Sequence, residues 1–253
     1  MKLLILAIYT EDEFYDKMMI QTNEYLHALT AFPKCHDMFA YYFIIYKSLV
    51  DKEYIIDHDK HILYINGTDS LMPGILYKTL DAMDILMNKL NMKFDFVMRT
   101  TTATCIDIPK MIDTLNYANP EENHYIGNMV TLNWIDVPYG IVDTTCWGTK
   151  YCGGNFTIFN SKIGLDMVAH RDFFAPIDTI VDDVVIGYYI RKNVPDVEYI
   201  NWNIMSDGSG ELQTNRLVSF HNSHKHDRIV DVNNHKRVVE HLIRELSKYE
   251  YSR

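Results

Sequence analysis

The chain has 253 residues, 47% of them hydrophobic and 23% charged, with a formal net charge of −10. That length holds one large α/β domain or two small ones, and the composition excludes a disordered or fibrous chain. The acidic balance, with no basic stripe to meet phosphates, excludes nucleic acid as a partner.

Residues 2–9 open the chain as an apolar run with a single lysine, Lys2, and lead into Glu11-Asp12-Glu13. The run is too short and lacks the small-residue cleavage site of a signal peptide, so a buried first strand is predicted. No other run is long enough to span a bilayer. Together with cysteines at 35, 105, 146 and 152 that show no CxxC spacing, this predicts a cytoplasmic protein with free or buried thiols.

A helix is predicted over about Tyr15 to Ala28, with Tyr15, Met18, Met19 and Leu26 on its apolar side. Tyr41 to Tyr46 reads as a second strand, rich in aromatic and branched residues. Ile62 to Ile65 reads as a third, closed by the turn signal Asn66-Gly67. After Pro73, the apolar residues Ile75, Leu76, Leu80, Met83, Leu86, Met87 and Leu90 repeat at helical spacing. Phe94 to Met98 is a short strand, followed by Arg99 and three threonines. A helix near 109–116 and a strand near 125–132 complete an alternation that favours a mostly parallel sheet covered on both faces.

From Trp134 to Cys152 the pattern dissolves into Pro, Gly, Asp, Thr and Trp, a long loop of the kind that serves as lid or binding platform. A tight turn is predicted at Cys152-Gly153-Gly154-Asn155, then a strand at 155–159, helices near 161–171 and 181–192, and a strand at 197–200. The polar segment Ser206 to Asn215 precedes Leu217-Val218-Ser219-Phe220, and a helix is predicted from about His235 to Lys248. With no internal repeat, low-complexity tract or linker, residues 1–253 read as one continuous domain.

Four groups of residues carry candidate chemistry. Asp182 and Asp183 head the 181–192 helix. Acids there suit the helix dipole, yet Asp178 and Thr179 are already available as caps, so one of the pair is a candidate general base. Gly153-Gly154, preceded by Trp147 and Tyr151, leaves room for a ring to stack on an aromatic face. Arg99 emerges at the carboxyl end of a strand, the edge where open α/β sheets bind ligands. It could grip a diphosphate by a bidentate contact, and a salt bridge to a nearby acid is the equal alternative. His221, His224 and His226 do not have an established zinc spacing; one of them, with Lys225 or Arg228, could neutralise a phosphate.

In this order the pieces resemble GT-A glycosyltransferases of the fringe and β-1,3-galactosyltransferase type, including bacterial and giant-virus members. Phe94 to Thr100 is similar to that family's strand before its DxD motif. Tyr151 to Ser161 is similar to its glycine strand and serine turn, and Asp182-Asp183-Val184-Val185-Ile186-Gly187 to its acidic helix start. Phe220-His221 sits where the family has a final histidine. The resemblance implies a single GT-A, Rossmann-like domain, with 1–132 binding a nucleotide sugar, UDP-linked, and 133–253 binding the acceptor and holding the catalytic groups. It implies inverting transfer to a glycan or other hydroxyl acceptor, with Asp183 as base and Asp182 as its acidic neighbour. Tyr9 and Thr10 would lie near the nucleotide base, and Arg99, Thr100, Thr101, Thr102 and His221 near the ribose and diphosphate. Trp147, Gly153 and Gly154 would border the acceptor. The DxD carboxylates would fall at Thr101, Thr102 and Ala103, so the Mn²⁺ or Mg²⁺ of such enzymes lacks its expected ligands, and His221 is the remaining candidate. A non-catalytic domain of the same fold that binds a nucleotide sugar or glycan is the rival reading. A nucleotidyltransferase ranks below both, because Thr10 to Phe14 offers no glycine-rich, lysine-bearing loop.

Overall fold

Strand β1 (Leu3–Ile8) is buried at every residue, as its uninterrupted apolar run requires of a strand covered on both faces. The computed structural model describes residues 1–32, 35, 37–202, 205–206, 219–221 and 227–250; at 154–155, 205–206, 219–221 and 247–250 it describes the backbone. Parallel to β1 lie β2 (Phe39–Lys47) on one side and β5 (Phe96–Thr101) on the other. Beyond β2 come β4 (Ile62–Asn66), parallel, and β3 (Tyr54–Asp57), an antiparallel edge. On the other flank β8 (Lys150–Asn160) runs antiparallel between β5 and β7 (His124–Thr131), and β9 (Glu198–Asn201) closes the sheet parallel to β7. The eight-stranded order is therefore β3-β4-β2-β1-β5-β8-β7-β9. The predicted α/β class and mostly parallel sheet match this arrangement.

Side chains alternate between two cores because successive strand residues face opposite ways. Leu3, Ile5, Ala7 and Tyr9 pack with α1 (Glu13–Thr30), α3 (Ile108–Leu115) and α6 (Arg228–Glu250). Leu4, Leu6 and Ile8 pack with α2 (Gly74–Met83), its π-helical extension Asp84–Lys89, α4 (Ser161–Ala169) and α5 (Asp182–Asn193). Helix α1 starts two residues earlier than predicted because the Asp12 carboxylate accepts from the amides of Phe14 and Tyr15. Helix α6 starts seven residues earlier, capped in the same way by Asp227 on Ile229 and Val230.

Several elements escaped the sequence patterns. Edge strand β3 has a uniformly half-buried pattern that gives no alternation to read. A small second sheet joins β6 (Thr104–Ile106), β10 (Met205–Ser206) and β11 (Ser219–His221), all too short for periodicity. The turn predicted at 152–155 is strand instead. Cys152 pairs with Met129 across a register shift between Gly127 and Met129, where a Cβ on Gly127 would lie 2.7 Å from the Cys152 sulfur. The glycine that permits the close approach is thus on the partner strand. The segment 207–215 and residues 217–218, 222–226 lie outside the described residues.

Candidate functional site

Arg99, near the end of β5, is 2% exposed. Its guanidinium faces the first turn of α5: one terminal nitrogen meets Asp182, and Nη1 lies 3.2 Å from Oδ1 of Asp183. One cation thus faces two carboxylates. Burial pushes the Asp182 carboxyl above its ordinary range, with Arg99 and two helix-start amides opposing. Burial also disfavours the Arg99 charge, but Asp182 and Asp183 together more than offset this and hold its pKa above the ordinary value. The expected presentation of Arg99 to a diphosphate is replaced by its alternative, an internal ion pair.

The reason for two acids at this helix start is also local. The N-cap is Val181, and no side chain caps the helix; Asp178 instead accepts from the Tyr77 hydroxyl at 3.2 Å. The cap that Asp178 and Thr179 were expected to provide is therefore absent, and the Asp182 carboxylate is met by its own amide and that of Asp183. Asp183 lies nearer the surface, at 9% exposure against 4% for Asp182. Its charge, after burial, helps push the neighbouring Tyr151 phenol up to about 12. Val184 and Val185 are fully buried beneath it. Gly187 brings α5 onto β8, since a Cβ there would lie 2.6 Å from the Lys150 carbonyl oxygen.

At the carboxyl end of β1, Tyr9 is buried and donates its hydroxyl to Asp16, while Thr10 is exposed. A cleft of about 510 Å³ opens beside Tyr9 along α1, lined also by Asp16, Asn23, His27, Ile45 and Tyr64; neither Asp182 nor Asp183 lines it. Sequence reasoning missed Lys78, which is completely buried on α2, 2.5 Å from Asp69 and 3.0 Å from the Tyr9 carbonyl oxygen it donates to. Its one signal was an ionisable residue inside an apolar helix. Lys78 ties the end of β1 to the loop after β4. Thr100 and Thr102 are buried, and the hydroxyl of the partly exposed Thr101 pairs with that of Thr104 at 3.1 Å.

The 132–149 loop docks beside α5. The Val181 amide donates to the Tyr139 carbonyl at 3.0 Å, and Arg191 of α5 donates to the Trp147 carbonyl at 2.6 Å. Trp147 is exposed, as are Val137 and Val142, so the loop offers an apolar surface. A Cβ on Gly153 would make ordinary van der Waals contacts, the nearest at 3.8 Å with Val130; Gly154 is described by its backbone in β8 alone.

His221 pairs by backbone with Thr104 in the small sheet, close in the chain to the three positions where the DxD would fall; its side chain, and His224, Lys225 and His226, lie outside the described residues. Arg228 donates to the Tyr15 hydroxyl at 3.1 Å, beside the start of α1. Thr101, Thr102 and Ala103 offer no carboxylate, and Thr102 and Ala103 are buried, so this position does not fit a divalent cation. All four cysteines are buried and unbridged. Among the described residues, no helix is long and apolar enough to cross a membrane.

No protein-family model matches the chain, and no curated protein sequence matches it. Solved structures do. One, described as a "crystal structure of a glycosyltransferase involved in the glycosylation of the major capsid of PBCV-1", matches with a TM-score of 0.53 at 9% identity. The match covers 93% of this chain and all of that one. The chain therefore has a GT-A-like glycosyltransferase fold.

Proposed function

We propose that this chain is a glycosyltransferase that moves a sugar from a nucleotide-sugar donor, UDP-linked by resemblance, to a hydroxyl acceptor with inversion. The single observation that carries this reading is the buried cluster of Arg99, Asp182 and Asp183, held within a GT-A-like fold. A one-to-one ion pair would make a poor base, because the cation holds the carboxylate deprotonated. Here two neighbouring carboxylates face the same guanidinium and burial raises the Asp182 carboxyl, so the cluster accepts a proton more readily than a carboxylate with a cation to itself.

In the proposed step Asp183, the more exposed acid, takes the proton from an acceptor hydroxyl. The freed oxygen attacks the anomeric carbon as the bond to the nucleoside diphosphate breaks on the opposite face. A base so placed contributes roughly 10²–10⁴ in rate. Arg99 and Asp182 act through Asp183, as positioning residues. The diphosphate leaves carrying both electrons of the broken bond and requires positive groups; Arg228 and His221 are assigned to it. No step runs through a metal at 101–103. The exposed apolar loop around Trp147, with Gly153 and Gly154, is assigned to the acceptor, and Tyr9 and Thr10 to the nucleotide base.

The test is Asp183→Asn in purified protein, with donor consumption and donor-induced thermal stabilisation measured together. Transfer should fall at least about a hundredfold while donor binding is kept. Near-normal turnover removes Asp183 from the role. The lack of a carboxylate at 101–103 favours a second reading, a domain that binds the nucleotide sugar without reacting it. Stabilisation by donor with no consumption across acceptors would select that one.

A further inference from the structure

At the opposite edge of the sheet from Thr101, the first residues of β7 and β9 lie side by side, His124 in register with Glu198. The His124 ring is 2% exposed, whereas the side chains of Glu122 and Glu198 beside it are 64% and 61% exposed. His124 Nε2 lies 2.9 Å from the Asn119 carbonyl oxygen, so in the neutral ring that nitrogen donates and the lone pair is on Nδ1. Among the described residues buried Nδ1 receives no hydrogen bond, and the atom before it is Oε2 of Glu198 at 3.1 Å. A lone pair facing a carboxylate oxygen repels it unless a cation stands between them.

That cation is a proton or a metal ion, and three observations favour the metal. Glu122 adds a second carboxylate, its Oε2 4.0 Å from Nε2 of the same ring, and one ligand atom from each of the three residues lies within 4.8 Å of the others. The 3.1 Å separation of Nδ1 and Oε2 suits adjacent ligands on one ion: bonds of about 2.0–2.1 Å at angles of 90–109° place two ligand atoms roughly 2.9–3.4 Å apart. The surroundings are also built as a metal site's are. The Asn119 carbonyl fixes the ring, and the Asn160 side chain accepts from the His124 amide at 2.6 Å and donates to the Pro120 carbonyl at 3.0 Å. A cleft of about 400 Å³ lined by Asn119, Glu122, His124 and Glu198 gives entry.

We propose that His124, Glu122 and Glu198 form a binding site for a divalent transition ion of the zinc type. Nδ1 and one oxygen from each carboxylate ligate it, and water completes the shell. Imidazole nitrogen selects such ions over magnesium or calcium, and two carboxylates balance the double charge. The ion staples edge strand β9 to β7 and to the 119–124 turn. The site is independent of the transfer reaction.

The experiment uses the full chain stripped of metal by chelation and dialysed. Zn²⁺ is titrated calorimetrically, Co²⁺ by visible absorption, and thermal unfolding is followed with and without Zn²⁺. Glu198→Gln and Glu122→Gln alter exposed side chains, so both variants retain the fold. The wild-type chain should bind an equivalent of Zn²⁺ that raises its unfolding temperature, and each variant should weaken that equivalent at least about tenfold. Two outcomes overturn the proposal: no stoichiometric binding at about 100 µM Zn²⁺, or binding unchanged in both variants. The His124–Glu198 contact would then be a protonated pair.

Discussion

Replacing Arg99 by methionine keeps most of the side-chain volume but removes the cation that Asp182 and Asp183 share. Arg99 and Asp182 are almost wholly buried, so solvent cannot take over the charge. Breaking a buried ion pair by deleting one partner costs about 3–5 kcal/mol. For a domain of this size each kcal/mol lowers the unfolding temperature by about 2–4 °C, so the variant should unfold roughly 6–20 °C below the parent at pH 7.5. The pH dependence adds a sign. Burial already raises the Asp182 carboxyl in the parent, with Arg99 the main opposing influence, and losing Arg99 raises it further. A raised carboxyl keeps its proton in the folded state after the unfolded chain has lost it. Stability is then complete below the ordinary carboxylate value of about 4 and is lost as pH rises through the elevated value. Arg99→Met should therefore recover stability on moving from pH 8 to pH 5, and adding Asp182→Asn should restore much of the loss at pH 8. Thermal unfolding by circular dichroism across this range is the assay. A shift of less than about 2 °C at pH 7.5, below what one kcal/mol produces, would refute the reasoning, as would a variant whose deficit does not shrink in acid.

Two further outcomes follow from particular contacts. Gly187→Ala places a Cβ 2.6 Å from the Lys150 carbonyl and 2.8 Å from Tyr151 Cβ, so α5 must lift from β8; a stability loss of about 1–3 kcal/mol is expected by denaturant titration. If the proposed base is right, transfer falls with it, because Asp183 rides on the same helix. His235 is buried between Gln21 and Thr22, and burial lowers its pKa to about 4. The unfolded chain binds its proton near 6.5 and the folded chain does not, so stability falls as pH drops from about 6.5 toward 4, by up to roughly 1.4 kcal/mol per pH unit. His235→Gln should flatten that part of the profile; an unchanged slope would assign acid sensitivity elsewhere.

How much of this was legible in the chain depends on the range of the forces involved. Long apolar runs such as Leu3–Ile8 and the helical repeat after Pro73 declared themselves, because burying their surfaces permits only one local geometry. Asp182-Asp183 and Arg99 could also be singled out, since charges beside buried segments need a reason. Their pairing could not, as nothing in the spacing of residues 84 positions apart indicates that they touch. Nor could the chain reveal that α5 starts without a side-chain cap, or that Lys78 points inward at Tyr9.

The residues alone determined the α/β class, the long strands and helices and the candidate acids, because those follow from periodicity and chemical type. Only tertiary structure decided which charge meets which, that the glycine strand is a bulged strand and not a turn, and that His124 faces Glu198. Such facts are set by contacts between distant segments, where the field of a buried neighbour outweighs any local preference.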